Sequence, residues 1–202
     1  MDGRLAVLVS GSGTNLQALL DEPSIAPHVV VVLSDRPGVK ALERAVAAGV
    51  PTVVVEFGAF ADRAAYTTAV LDELRARDVD GVVLAGFMRV LGPTFFQVFP
   101  DRVLNVHPAL LPAFPGAHAV QDALDWGAKV TGVTVHLVDE EVDHGPIVLQ
   151  EAVAIREDDI WDSLELRIHD AEHRLLPRAV TALLDGRLVV EGRRVQIVEG
   201  ET

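Results

Sequence analysis

The feature that most constrains the fold is an alternation of short apolar runs with longer amphipathic segments. Five runs rich in valine and leucine lie at residues 5–9, 29–33, 52–55, 79–84 and 103–106. Helical patterns separate them, at residues 15–20, 39–48, 60–77 and 94–99. Runs of this kind are typical of parallel strands buried on both faces. The alternation therefore predicts an α/β fold with a doubly wound, mostly parallel, Rossmann-like sheet.

The pattern changes in the last third of the chain. Strand-like runs at residues 130–137 and 147–153 flank a short acidic loop, which indicates an antiparallel pair. A long amphipathic helix is predicted at residues 160–184, followed by an edge hairpin at residues 186–198. Because no repeat or linker interrupts the sequence, we predict a single domain spanning residues 1–202.

Composition excludes several classes of protein. The 202 residues include no cysteine, so a thiolate metal site or thiol nucleophile is excluded. The net charge is −13 and the basic residues are scattered, whereas nucleic-acid binders usually carry a basic patch. No apolar run reaches the length of a membrane span or signal peptide. We expect a cytoplasmic protein that acts on small molecules, without nucleic-acid, membrane or metal partners.

A glycine-rich loop follows the first predicted strand and opens the first predicted helix. It consists of Gly11, Ser12, Gly13, Thr14 and Asn15. Glycines allow a close backbone approach to a ligand, and a helix start offers free N–H groups to an anion. The loop therefore predicts a phosphate site. The alternative is a tight turn capped by Thr14 or Asn15.

Two other nucleotide motifs fit this loop less well. The dinucleotide fingerprint needs a third glycine where Leu16 stands, although Asp35 could imitate its ribose-binding acid. The triphosphate-binding loop needs a Gly-Lys pair, which the sequence lacks here. A non-catalytic nucleotide-binding module would have to be based on this loop and Asp35.

Asn105 lies in the fifth predicted strand, at residues 103–106, and His107 directly follows it. Alternate residues of a strand share a face, so both side chains point the same way. Open α/β sheets bind ligands at the carboxyl ends of their strands. An amide beside an imidazole can stabilise an oxyanion. We therefore predict a catalytic pair at this edge of the sheet.

Asp143 lies in the acidic loop before Gly145 and Pro146. A carboxylate beside His107 would raise the pKa of the imidazole and keep it protonated near neutral pH. Spacing alone leaves open, and slightly favours, a solvated turn aspartate. The neighbouring His144 is interpreted as a turn residue.

Four motifs in this order resemble one known family, over nearly the whole chain. They are residues 11–19, the Leu-Ala-Gly-Phe-Met-Arg stretch at 84–89, the Asn-Val-His-Pro-Ala-Leu-Leu-Pro stretch at 105–112, and Asp143-x-Gly145-Pro146. Together they resemble the phosphoribosylglycinamide formyltransferases, which are folate-dependent enzymes of purine biosynthesis. The resemblance implies 10-formyltetrahydrofolate as co-substrate, glycinamide ribonucleotide as acceptor, and a monomer or homodimer.

The resemblance also assigns residues to roles. It implies catalysis by Asn105, His107 and Asp143, with the oxyanion held by Asn105 and a protonated His107. Besides the glycine-rich loop, the implied acceptor-binding residues are His169, Asp170, Ala171 and Glu172. The implied folate-binding residues are Arg63, Met88, Arg89, Val90, Leu91, Asn105, Glu140, Glu141, Val142 and Asp143.

Two related formyl-group enzymes share part of this pattern. Methionyl-tRNA formyltransferase is similar in the Asn-x-His and Asp-x-Gly-Pro motifs, but it would need a basic surface and a further RNA-binding domain. Formyltetrahydrofolate hydrolase would carry a regulatory domain and lack the phosphate loop. The length and charge of this chain therefore favour the ribonucleotide as acceptor.

Overall fold

All nine strands of the computed structural model, which describes residues 3–199, belong to one sheet. The strands are β1 (Leu5–Val9), β2 (Val29–Ser34), β3 (Thr52–Val54), β4 (Gly81–Leu84), β5 (Val103–His107), β6 (Val130–Leu137), β7 (Ile147–Ala154), β8 (Leu188–Glu191) and β9 (Arg194–Ile197). Their spatial order is β3-β2-β1-β4-β5-β6-β7-β9-β8. Strands β1 to β5 run parallel, and β6 pairs antiparallel with both β5 and β7. The predicted fold class is confirmed.

Helices cover both faces of the sheet. They are α1 (Thr14–Leu20), α2 (Lys40–Ala47), α3 (Arg63–Arg75), α4 (Pro93–Val98), α5 (Ala119–Trp126) and α6 (Trp161–Leu184). Residues of α1, α2, α5 and α6 pack into one apolar core, and residues of α3 and α4 into a second on the other face. Two apolar layers around one sheet define a doubly wound architecture. Within residues 3–199, no helix combines the length and apolar character that a membrane crossing requires.

Two local predictions were wrong, and one helix was missed. Strand β3 is an edge strand with Thr52 and Val54 exposed, so it is not buried on both faces. Strand β4 begins at Gly81 rather than at residue 79. Helix α5 has eight residues that follow directly on a loop rich in proline and glycine, so its pattern is short and was missed.

Candidate active site

The carboxyl ends of β1, β4 and β5 meet at one edge of the sheet, because these strands are parallel neighbours. A cavity of about 250 Å³ opens at this edge. Of the predicted folate-binding residues, it is lined by Met88, Arg89, Val90, Leu91, Asn105, Glu140, Glu141, Val142 and Asp143. We name residues 88–91 the folate wall, after their predicted role, and residues 139–143 the acidic loop. His107 lines the same cavity.

The structure brings Asn105, His107 and Asp143 together. The two β5 residues share a face, as predicted, and the acidic loop carries Asp143 to them. Asp143 Oδ2 lies 3.3 Å from His107 Nδ1. Asn105 Nδ2 donates to Asp143 Oδ1 at 3.4 Å. The solvated-turn alternative for Asp143 was therefore wrong: the backbone turns there, but the side chain faces the imidazole.

The loop after β5 holds both partners of this pair. His107 Nε2 lies 2.8 Å from the Phe114 carbonyl oxygen, and the Gly116 N–H donates to Asp143 Oδ2 at 2.7 Å. Phe114 and Asp143 both have positive φ values, 51° and 52°. Non-glycine residues adopt this conformation at a cost, and such residues cluster at functional sites. The surrounding contacts thus fix the Asp143 carboxylate in one orientation.

Sequence reasoning missed His136, which completes the cluster. It lies on β6 directly opposite Asn105 and is 1% exposed. Its Nε2 lies 3.0 Å from Asn105 Nδ2 and 3.7 Å from Asp143 Oδ1, while its Nδ1 faces the Leu137 carbonyl at 2.8 Å. Since the carbonyl accepts, Nδ1 carries the proton and Nε2 accepts from the amide. The sequence feature that could have pointed to His136 is that it is the only histidine in the apolar run at residues 130–137.

Burial determines the protonation state of His107. Desolvation lowers its pKa and outweighs Asp143 and the Phe114 carbonyl, which both raise it, so the pKa lies below its ordinary value. Asp143 acts in the predicted direction, but the expectation of a protonated His107 near pH 7 was wrong for the free protein. Because a carbonyl only accepts, Nε2 keeps the ring proton. A second proton on Nδ1 would find Asp143 as its acceptor.

Asp143 is the charged member of the cluster. Burial raises the pKa of its carboxyl, but the adjacent His136, the Gly116 N–H and His107 together lower it by more, so the pKa lies below its ordinary value. The carboxylate is therefore ionised at neutral pH. It can accept a hydrogen bond from His107 Nδ1 only when that nitrogen is protonated.

The glycine-rich loop connects β1 to α1. Gly13 has φ +71°, and a Cβ there would lie 2.6 Å from the Cβ of Ala41, so only glycine fits this turn without strain. Gly13 is also the N-cap of α1, and no side chain of the described residues caps this helix start. The alternative of a turn capped by Thr14 or Asn15 was wrong. The N–H groups of the first turn are thus available to a ligand.

Asn15 instead connects the loop to α6. Its Nδ2 donates to Glu172 Oε2 at 2.9 Å, across 157 residues of sequence. Glu172 is 4% exposed, and burial raises its pKa. His169 Nε2 lies 3.9 Å from the same carboxylate oxygen. The predicted acceptor-binding residues Asn15, His169 and Glu172 therefore form one cluster; Asp170 is exposed, and Ala171 belongs to the core.

Two residues lie apart from the cavity lining. Arg63 is exposed at the start of α3, so a contact with a folate tail requires the tail to extend beyond the cavity. The His144 side chain points at Asp139, with Nδ1 2.9 Å from Oδ2, and Arg193 donates to its backbone carbonyl. This geometry supports the interpretation of His144 as a turn residue.

A buried imidazole, a carboxylate and an amide at the carboxyl edge of a doubly wound sheet define a site for acyl transfer. The family model described as formyl transferase matches residues 3–180. The chain belongs to the formyl transferase family.

Three similar proteins are more specific than the family model. The chain is 46% identical over 202 residues to the phosphoribosylglycinamide formyltransferase of Mycobacterium tuberculosis, covering 96% of this chain and 94% of that protein. The crystal structure of glycinamide ribonucleotide transformylase 1 from Symbiobacterium toebii superposes with a TM-score of 0.94 at 48% identity, covering 97% of this chain and 94% of that one. The trifunctional purine biosynthetic protein adenosine-3 of Drosophila melanogaster is 47% identical over 192 residues, which are 93% of this chain but 14% of that protein.

Proposed function

We propose that residues 1–202 act as one domain that transfers the formyl group of 10-formyltetrahydrofolate to the amine of glycinamide ribonucleotide. The observation that carries this proposal is the meeting of Asn105, His107 and Asp143 in the cavity formed by the folate wall and the acidic loop. The names of the full-length relatives support the choice of acceptor.

The cavity suits the formyl donor. Met88 and Val142 are 60% and 57% exposed, and both line the cavity, so apolar surface is available to a flat ring. Glu140 and Glu141 lie on the acidic loop and can accept N–H groups of a pterin. The donor is thereby bound with its formyl group directed toward Asn105 and His107.

The glycine-rich loop suits the acceptor. The uncapped start of α1 offers N–H groups to the ribonucleotide phosphate in a protein whose net charge is −13. Glu172 accepts hydrogen bonds from ribose or amine groups beside the loop. Since β1 and β5 end at the same edge of the sheet, a ribonucleotide held at the loop extends toward the cavity.

Transfer begins with attack of the acceptor amine on the formyl carbon, and the formyl oxygen becomes an oxyanion. The hydrogen bond from Asn105 to Asp143 is long at 3.4 Å, so this N–H is the one that can turn to the oxyanion. The new negative charge raises the pKa of His107, which burial keeps neutral in the free protein. The imidazole then takes up a proton from solvent and returns it when the oxyanion collapses. Because Phe114 and Asp143 occupy both ring nitrogens, the imidazolium stabilises the oxyanion through its charge.

The attacking amine must then lose a proton, and the departing folate nitrogen must gain one. Asp143 is ionised and lies between His107 and Asn105, so it accepts the proton directly or through water. Both substrates are held together, and a covalent formyl-enzyme is unnecessary. The oxyanion then collapses: its C=O bond re-forms as the C–N bond to the folate breaks, and the folate nitrogen takes the proton that Asp143 accepted from the amine.

A dinucleotide-binding function is not supported. Leu16 is fully buried where the fingerprint needs its third glycine. The Asp35 side chain is fully buried and paired with Arg89, so it cannot bind a ribose hydroxyl. The glycine-rich loop is thus better suited to a single phosphate.

Glu172→Gln should separate stability from acceptor binding. Burial raises the pKa of Glu172 in the folded state above its value in the unfolded state. The free energy of unfolding therefore decreases as the pH rises from the unfolded-state pKa through the folded-state pKa. The amide removes this cost and can donate to Asn15 Oδ1, which is buried without a partner among the described residues. We expect a gain of about 1 kcal/mol at pH 8, a rise in Tm of about 2–4 °C, and a KM for glycinamide ribonucleotide raised about tenfold or more.

The matched control is Glu165→Gln, on the same helix. Glu165 Oε1 also lies 3.9 Å from His169 Nε2, but its side chain is 30% exposed. We expect a smaller change in Tm and an unchanged KM for the ribonucleotide. Thermal melts at pH 5 and pH 8 with steady-state kinetics provide both readouts, and an unchanged KM in Glu172→Gln would contradict the acceptor site.

A further inference from the structure

Asp35 is a buried carboxylate that the proposed mechanism does not use. It follows the last residue of β2, and its side chain is fully buried. Its Oδ2 accepts from Arg89 Nε at 2.7 Å, and Arg36 Nε lies 3.4 Å from Oδ1. A charge is buried at this depth only with a partner. The partner of this buried charge is therefore Arg89, a residue of the folate wall.

Arg89 is fixed by contacts on two sides. Besides its bond to Asp35, its guanidinium lies 5.0 Å from the centroid of the Phe57 ring, a cation–π distance. The Arg89 side chain is nevertheless 36% exposed and lines the cavity. The ion pair thus extends from a rigid strand end to the surface that faces the co-substrate.

The same wall is attached to β1 by a second contact. The Met88 N–H donates to Ser10 Oγ at 2.9 Å, and the Ser10 N–H donates to the Gly86 carbonyl at 3.1 Å. Burial raises the pKa of Asp35, but the Ser10 hydroxyl, Arg89 and Arg36 outweigh it, so the pKa lies below its ordinary value. Asp35 is therefore ionised at neutral pH. Its charge acts on Arg89 and on the Ser10 hydroxyl, the two groups that hold the folate wall.

We propose that Asp35 is a positioning residue for the formyl donor, holding the folate wall in its binding conformation through Arg89. This inference rests on the proposed function. The backbone of the wall leaves β4 through Gly86, which has φ +70°, and β4 ends at Leu84, so regular sheet pairing does not fix it. Without Asp35, Arg89 moves toward solvent and the wall loses its attachment to β2.

The readout that separates positioning from stability is the split between binding and turnover. Asp35 lies outside the set of residues that line the cavity, whereas Arg89 belongs to it. Asp35→Asn should therefore weaken folate binding while kcat and the KM for glycinamide ribonucleotide stay within about twofold. A general loss of structure would instead change all three.

The experiment is calorimetric titration of tetrahydrofolate into the wild-type chain and into Asp35→Asn. We expect Kd to rise about tenfold, equivalent to ~1.4 kcal/mol. Arg36→Ala is the matched control, because it removes the other guanidinium beside the same carboxylate from a side chain that is 49% exposed and outside the cavity lining. Its Kd should stay within about twofold of the wild-type value.

Arg89→Gln and the double variant complete a cycle and cover the case in which Asp35→Asn fails to fold. Asp35 acting through Arg89 requires a similar loss in Arg89→Gln and no further loss in the double variant. Additive losses, or wild-type affinity in a folded Asp35→Asn or Arg89→Gln protein, overturn the inference alone. A wild-type chain that binds no tetrahydrofolate overturns the proposed function and this inference with it.

Discussion

His107→Ala is expected to lower kcat by about 10²–10³, the usual cost of removing one oxyanion-stabilising group. The charge that His107 gains as the oxyanion forms has no substitute, because His136 is 1% exposed and its Nε2 accepts from Asn105. The loss should appear in kcat more than in KM, since neutral His107 adds little to ground-state binding. Steady-state kinetics with both substrates measures this split.

The control for this variant is His28→Ala. His28 bonds to the Gly3 carbonyl near the amino end of the sheet and does not line the cavity. We expect its turnover to stay within about twofold of wild type. A folded His107→Ala protein with near-normal kcat would remove His107 from the mechanism.

Asp143→Asn is expected to cause a comparable loss of about 10²–10³ in kcat. The amide keeps the shape of the carboxylate but cannot take the amine proton, and it removes the charge that favours the His107 imidazolium. The pKa of His107, already below its ordinary value, should fall further. Because the remaining activity requires protonated His107, it should be lost at a lower pH than in wild type as the pH is raised. A pH–rate profile of the variant tests this direction.

Stability should respond to Asp143 in the opposite sense to Glu172. Since the folded-state pKa of Asp143 is depressed, its ionisation contributes stability above the unfolded pKa, and this is lost as pH falls through the folded one. Asp143→Asn should lose this contribution at neutral pH. Asp72→Asn, an exposed acid paired with Arg75, is the control and should change neither kcat nor Tm appreciably. Wild-type turnover in Asp143→Asn would contradict its role in proton transfer.

The sequence contained enough periodicity to predict most of the fold. Buried runs such as Leu5–Val9 and Gly81–Leu84 are apolar on both faces, which only a central parallel strand requires. The prediction that β3 is buried on both faces was wrong. Its valines resemble those of a central strand, although Thr52–Val54 lies at the edge of the sheet. Position in a sheet depends on the order of strands, which local patterns do not encode.

Some residues of the candidate site could be predicted from the sequence, and others could not. Asn105 and His107 follow from strand alternation, because their relation is local. Asp143 reaches them through a loop with a left-handed residue, and His136 through the antiparallel register of β5 and β6. Both relations are tertiary, so Asp143 depended on the family resemblance and His136 was missed.

The measurement that tests the account most directly is a formyl-transfer assay with 10-formyltetrahydrofolate and three acceptors in parallel: glycinamide ribonucleotide, charged initiator tRNA and water. The uncapped start of α1, which we propose binds the phosphate, and the net charge of −13 predict rapid formylation of the ribonucleotide and negligible transfer to tRNA or water. Release of formate at the same rate with and without the ribonucleotide, or preferential formylation of the tRNA, would contradict the proposed acceptor.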